Sequence, residues 1–137
     1  MPSRNRTRTA TLGQGRQRAE IAAAYARAAD LILIEDDTEV NLSVVAGLAV
    51  LAGIAAADAL CVRYSGSYSK DQDHAAAIEA LLATGTGASR KWSQTLKRLL
   101  DLKDEAHYGF LSVSKTRAKA ALSQAKLLVS TALESFS

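Results

Sequence analysis

The chain has 137 residues, 17 of them Lys or Arg and 14 Asp or Glu, and carries a formal charge of +3. That length makes one domain with a real core, and the dominance of Ala and Leu with a single Pro favours helices. One cysteine, Cys61, excludes an internal disulfide and makes a reducing cytoplasm the expected compartment, while two histidines without a cysteine cluster argue against zinc.

The charge is uneven. Five arginines (Arg4, Arg6, Arg8, Arg16, Arg18) fall within residues 1–19 with no acid among them, leaving twelve basic residues against fourteen acidic ones in the rest. No apolar run follows these arginines directly, so they do not open a secretory signal. Residues 1–14 are expected to form a basic, disordered tail ahead of a helical domain over 15–137. The tail reads either as a solvated arm or as a phosphate-contacting one. The absence of interleaved aromatics, on which bases could stack, weighs toward the first.

The spacing predicts a first helix over 14–36, with Ile21, Tyr25, Ala28 and Ile32 as its apolar stripe. Glu35, Asp36, Asp37 and Glu39 then supply a solvated turn and place negative charge where the next helix begins. That second helix, 39–63, holds the run 42–62, apolar throughout except for Asp58. Such a run is a membrane span or the centre of a helical core. Its Ala and Gly content, the amphipathic segments around it and the cost of Asp58 in hydrocarbon favour the core, with no membrane partner. Cys61, inside it, reads as a buried, inert thiol.

Tyr64, Ser65, Gly66 and Ser67 form a turn, and the polar loop 69–73 caps a short helix over 74–83 with Ala77, Ile78, Leu81 and Leu82 inside. Gly85 and Gly87 do not make a phosphate loop, since no strand precedes them and no Gly-Lys-Ser/Thr follows. A fourth helix runs over 89–108, ended by Gly109, and a fifth over 114–135 with Ala118, Ala121, Leu122, Ala125, Leu128, Val129, Ala132 and Leu133 as its stripe. Only the brief 110–113 run competes as a strand. The expected fold class is all-α: an antiparallel up-down four-helix bundle with one additional short helix.

The fourth helix carries the candidate chemistry. On a helical wheel Lys103 and His107, one turn apart, fall in the same stripe as Trp92, Leu96, Leu99 and Leu100, with Asp104 and Tyr108 flanking it. A cation on a core-facing stripe needs a partner. Asp58, the lone charge of the central run, is expected to pack near Lys103 or His107, and its replacement by Ala to cost on the order of 3–5 kcal/mol. Three roles stay open for these groups: fixing helix register, general acid–base work by His107 with Lys103 holding a phosphate, or a dimer seam. His74 beside Asp73 at a helix start is a second candidate, either a capping pair or an anion site, to which Arg63 and Lys70 could add positive charge.

The run Leu99-Leu100-Asp101-Leu102-Lys103-Asp104-Glu105-Ala106-His107-Tyr108-Gly109 resembles the Arg-x-x-Ala-Asp-Tyr-Gly signature of HEPN-domain proteins. Ala55-Ala56-Ala57-Asp58-Ala59-Leu60 looks like that family's second helix, and the spacing to Asp73-His74-x-x-Ala77-x-x-x-Leu81-Leu82 is similar as well. The likeness spans about residues 15–135. It implies a helical bundle, often a homodimer with the signature helices facing each other. Many members are bacterial toxins or defence proteins that cut RNA without a metal, through Arg-(four to six residues)-His. Others bind nucleotides, RNA or a partner nucleotidyltransferase, some as the toxin of a toxin–antitoxin pair. Here Lys103 stands in the arginine's place with three residues before His107, His107 replaces the signature's aspartate, and Tyr108 keeps its tyrosine.

The function expected is therefore HEPN-like binding of nucleic acid or nucleotide, without cofactor or metal. If the chain is an enzyme, it is a metal-independent endoribonuclease using His107, Lys103, Asp104 and Tyr108. Asp58, Arg63, Lys70, Asp73 and His74 would serve binding. The alternative is a catalytically inert helical protein whose stripe forms a dimer or docks a cognate antitoxin or nucleotidyltransferase.

Overall fold

The computed structural model describes residues 7–70, 73–108 and 113–137, and over 104–108 it describes the backbone alone. The described chain is all-α apart from one small ribbon. Its elements are β1 (Thr7–Thr9), α1 (Leu12–Glu35), α2 (Glu39–Ser65), β2 (Ser67–Ser69), α3 (His74–Leu82), α4 (Ser89–Tyr108) and α5 (Lys115–Ser135).

Helix starts follow from short polar side chains that satisfy the orphan N–H groups of a first turn. The Thr11 hydroxyl accepts from the Gln14 N–H while the Gln14 side chain accepts from the Thr11 N–H, a reciprocal capping box that opens α1. Thr38 caps α2, Asp73 caps α3 and Ser114 caps α5 in the simpler one-way manner. The end of α2 depends on Gly66, whose φ of +72° is the left-handed conformation that costs a side-chain-bearing residue strain. That turn sends the chain straight into β2. The end of α5 is held by two arginines: Arg16 Nη2 donates to the Phe136 carbonyl at 2.7 Å and Arg63 Nε to the Ser135 carbonyl at 2.7 Å. Positive charge at the negative end of a helix is favourable there.

Helix α2 is the axis of the molecule; α1, α4 and α5 pack on it, and α3 packs mainly on α4. It is long and apolar enough to cross a membrane, yet 67% of its most apolar window is buried inside the protein. Burial on that scale supports the core reading of the run. Cys61 is buried within it, and burial followed by the nearby Asp58 charge pushes its thiol up to about 12.

The inner face of α1 differs from the expected one. Ile21 is exposed and Tyr25 and Ile32 only half-buried, while Gly15, Ala19, Ala22, Ala26 and Ala29 are buried. The reason is close approach. A Cβ on Gly15 would lie 2.8 Å from Val62 Cγ1 and from the Phe136 ring, so small residues face α2 and larger ones are turned outward. On α3, Leu82 is likewise exposed and Ala76 takes the buried place beside Leu81. The stripes of α4 and α5 are buried as expected at Leu96, Leu99, Leu100, Leu122, Leu128 and Val129, whereas Leu133 is exposed.

A second difference concerns the expected tail over 1–14. From Thr7 onward it is structured: Thr7–Thr9 pairs antiparallel with Ser67–Ser69, Arg8 opposite Tyr68, and Ala10 N–H donates to the Gly66 carbonyl. Neither strand shows an apolar alternation; Tyr68 is the one large apolar side chain they lay, half-buried, against the core. Their backbone pairing, not their side chains, holds the ribbon, so periodicity had nothing to reveal.

Candidate functional site

The ribbon, α1, α2, α3 and α4 together enclose a cavity of about 330 Å³. Each element sends a chemically distinct group to its wall. Strand β1 contributes Arg8, α1 contributes Arg18 and α2 contributes Asp58. The β2–α3 segment supplies Tyr68, Ser69, Lys70, Asp73 and His74. Lys103 enters from α4, above the apolar floor of Ile54, Ala77 and Leu100. Four cations thus face two carboxylates, and the wall is positive before His74 is counted.

Asp58 is the most perturbed group there. Its side chain is 18% exposed and meets Arg18 Nη2 at 3.5 Å, a long single contact rather than a bidentate one. Burial raises its carboxyl to about 6, with the Arg18 charge and hydrogen bond pulling the other way. Asp58 is thus paired with Arg18; of the two neighbours expected for it, the His107 side chain lies outside the described residues. Lys103 shares the cavity with Asp58, but its half-buried ammonium has no ion pair among the described residues. Arg18 itself is 39% exposed, so water shares in its solvation.

Several expected site residues therefore come together and others do not. Asp58, Lys70, Asp73, His74 and Lys103 line one cavity. Asp73 spends a carboxylate oxygen on the Ala75 N–H at 3.0 Å as the cap of α3. Arg63 is turned away: it holds the Ser135 carbonyl and lies 5.2 Å over the Tyr64 ring, which in turn contacts Trp92. The side chains of Asp104, His107 and Tyr108 lie outside the described residues.

Arg8, Arg18, Tyr68 and Ser69 are the wall residues that the sequence argument missed. The Ser69 hydroxyl is buried and has no hydrogen-bond partner among the described residues, and its residue borders the cavity. A buried hydroxyl in that state costs free energy unless something polar joins it. A second lobe of about 490 Å³ is bordered by Thr9, Ala10, Gln14 and Val62 and shares Arg8, Arg18, Asp58 and Tyr68 with the first.

No protein-family model, no curated protein and no solved structure matches this chain.

Proposed function

We propose that the chain is a HEPN-like four-helix bundle whose cavity binds the phosphate of a nucleotide or RNA strand. One observation carries the reading. Arg8, Arg18, Lys70 and Lys103 come from four different segments and converge on a single enclosure, beside the first turn of α3. Scattered surface cations are ordinary. Four that border the same concave wall, around an apolar floor, are what a phosphate group requires. His74 on that wall would take the part of the proton-transferring imidazole, with Lys103 holding the phosphate. In this reading RNA cleavage without a metal uses His74, His107 or both.

The binding test is calorimetric titration with inorganic pyrophosphate at two salt concentrations. Wild type should bind, more weakly at higher salt, and the Lys70→Ala/Lys103→Ala double variant should lose at least tenfold in affinity. Wild type and variant binding equally would remove the proposal. The catalytic test incubates structured RNA in EDTA with wild type, His74→Ala and His107→Ala. Background-level cleavage by all three leaves a binding protein without ribonuclease activity.

A second reading, an inert interaction protein, draws on a different feature. Val44, Leu51 and Gly47 of α2 border an outward apolar groove of about 510 Å³, near which Val40 is also exposed. A homodimer or a cognate antitoxin or nucleotidyltransferase would dock there. Sedimentation of wild type against Leu51→Glu tests the homodimer: a dimer that dissociates on substitution supports it, and a monomeric wild type removes it.

A further inference from the structure

Phosphate chemistry accounts for the cations of the cavity and leaves the Gln14 amide of its second lobe, and Asp58, unexplained. The lobe facing α3 and α4 holds Lys70, His74 and Lys103. The lobe facing the N-terminal ribbon holds neither lysine, but brings Thr9, Gln14 and the shared Tyr68. Gln14 uses its amide carbonyl to accept from the Thr11 N–H at 2.9 Å, which leaves its N–H₂ donors as the hydrogen-bonding groups it can offer. Arg8, Arg18, Tyr68 and Asp58 border both lobes, so the lobes differ by two lysines and a histidine in one and an amide in the other, with a carboxylate common to the two.

The division matches the parts of one small molecule. Lobes of about 330 and 490 Å³ are together the size of a site for a ligand of a few tens of atoms, not for a folded nucleic acid. A carboxylate common to both lobes is a poor neighbour for phosphate and a strong acceptor for a hydroxyl. The contact from Arg18, at 3.5 Å to one oxygen, is the hydrogen bond Asp58 receives among the described residues, so acceptor capacity remains. Resting on the phosphate reading above, we infer that the cavity takes a ribonucleoside monophosphate. Its phosphate lies among Lys70 and Lys103, its base lies in the lobe of Gln14 and Tyr68, and Asp58 accepts a hydrogen bond from the ribose 2′-hydroxyl.

The same arrangement explains why the carboxylate is tolerated beside a cation cluster that only loosely pairs it. A hydroxyl donor replaces the water that burial removed. It also makes Asp58 the specificity-determining residue: a 2′-deoxyribose offers no donor at that position, and the buried acceptor is then left under-satisfied.

The experiment is calorimetric titration of the full chain with inorganic phosphate, the four ribonucleoside 5′-monophosphates, their 2′-deoxy counterparts and a six-residue RNA. At least one ribonucleotide should bind about tenfold more tightly than its deoxy form. Asp58→Leu, which removes the acceptor and is checked for fold by circular dichroism, should bring the two within about twofold. Equal affinity of ribo and deoxy forms for wild type, or a preference that survives Asp58→Leu, overturns the assignment of Asp58. Binding of the RNA strand with none of the mononucleotides overturns the mononucleotide. Phosphate and every nucleotide failing together would instead bring down the phosphate reading on which this one stands.

Discussion

Two faces of α2 obey different rules. On one, Gly53 is buried so tightly that an added Cβ would collide with the Leu99 side chain and touch Leu128. On the other, Asp58 faces a cavity and, further along, Gly47 meets nothing within 4 Å. The first face is fixed by packing: it closes on Leu99 of α4 and Leu128 of α5 with no room for a further methyl group at Gly53. The second is left partly open at the cost of a buried charge, which is where a binding role can reside.

The largest effect that sharpens this contrast is Gly53→Val. The new branches must displace Leu99, itself fully buried, and overpacking of that kind costs about 3 kcal/mol, set against a few tenths gained in helix propensity. For a domain of this size the expected drop in Tm is about 10 °C. A thermal melt within 2 °C of wild type would show the packed face to be no tighter than the open one.

Asp58→Asn comes next and acts in the opposite direction. The folded-state carboxyl titrates near 6 against 3.8 for its ordinary value, so the native state holds a proton that the unfolded state has already released. Stability from this group is therefore full below pH 4, is lost as pH rises from about 4 to 6, and stays lost above that. Roughly two pH units correspond to about 3 kcal/mol, an upper figure for a side chain with some exposure. The Asn variant should lack this decline and be more stable than wild type at pH 7, measured by urea melts at pH 4, 5, 6 and 7. The loss expected from sequence, for Asp58→Ala, rests on a buried cation left behind, whereas Arg18 is exposed enough for water to solvate it. Parallel pH profiles for the two proteins would mean Asp58 is not held in a dry site.

The helices, their caps and the core role of α2 were legible because each rests on a local or periodic signal. Half of the candidate site was legible too, through lone charges set in apolar or loop contexts: Asp58, Lys70, His74 and Lys103. What escaped was pairing between distant segments. Arg18 was recoverable in principle. An antiparallel helical hairpin turning at residues 37–38 mirrors position 18 onto about 58, and the contact of Gly15 with Val62 follows the same register. Contrast with apolar neighbours points instead to Lys103 on α4, a stronger local signal than the hairpin register. Arg8 and Tyr68 had no such route, since a three-residue ribbon held by backbone bonds leaves no pattern in side-chain type.

A smaller gain is expected at Gly47→Ala. The position is mid-helix and open, so the substitution adds helix propensity and narrows the unfolded ensemble without meeting another atom. It should stabilise by about 0.5–1 kcal/mol in denaturant melts. A loss of stability there would place a neighbour against that face, as the dimer reading requires, and would make the open face of α2 a covered one.

The smallest effect tests whether charge matters to this fold outside the cavity. Lys126 Nζ lies 2.7 Å from Asp30, joining α5 to α1, with side chains 48% and 41% exposed. Coulomb attraction between such groups is screened by water and salt, and holding two long side chains in one geometry costs entropy. Lys126→Ala should therefore change stability by less than about 0.5 kcal/mol. A loss near that of Gly53→Val would mean that α1 is held on α5 by charge rather than by the row from Gly15 to Ala29. The Arg18–Asp58 contact would then have to be reread as part of the same clamp, and the open face of α2 would be explained by structure alone.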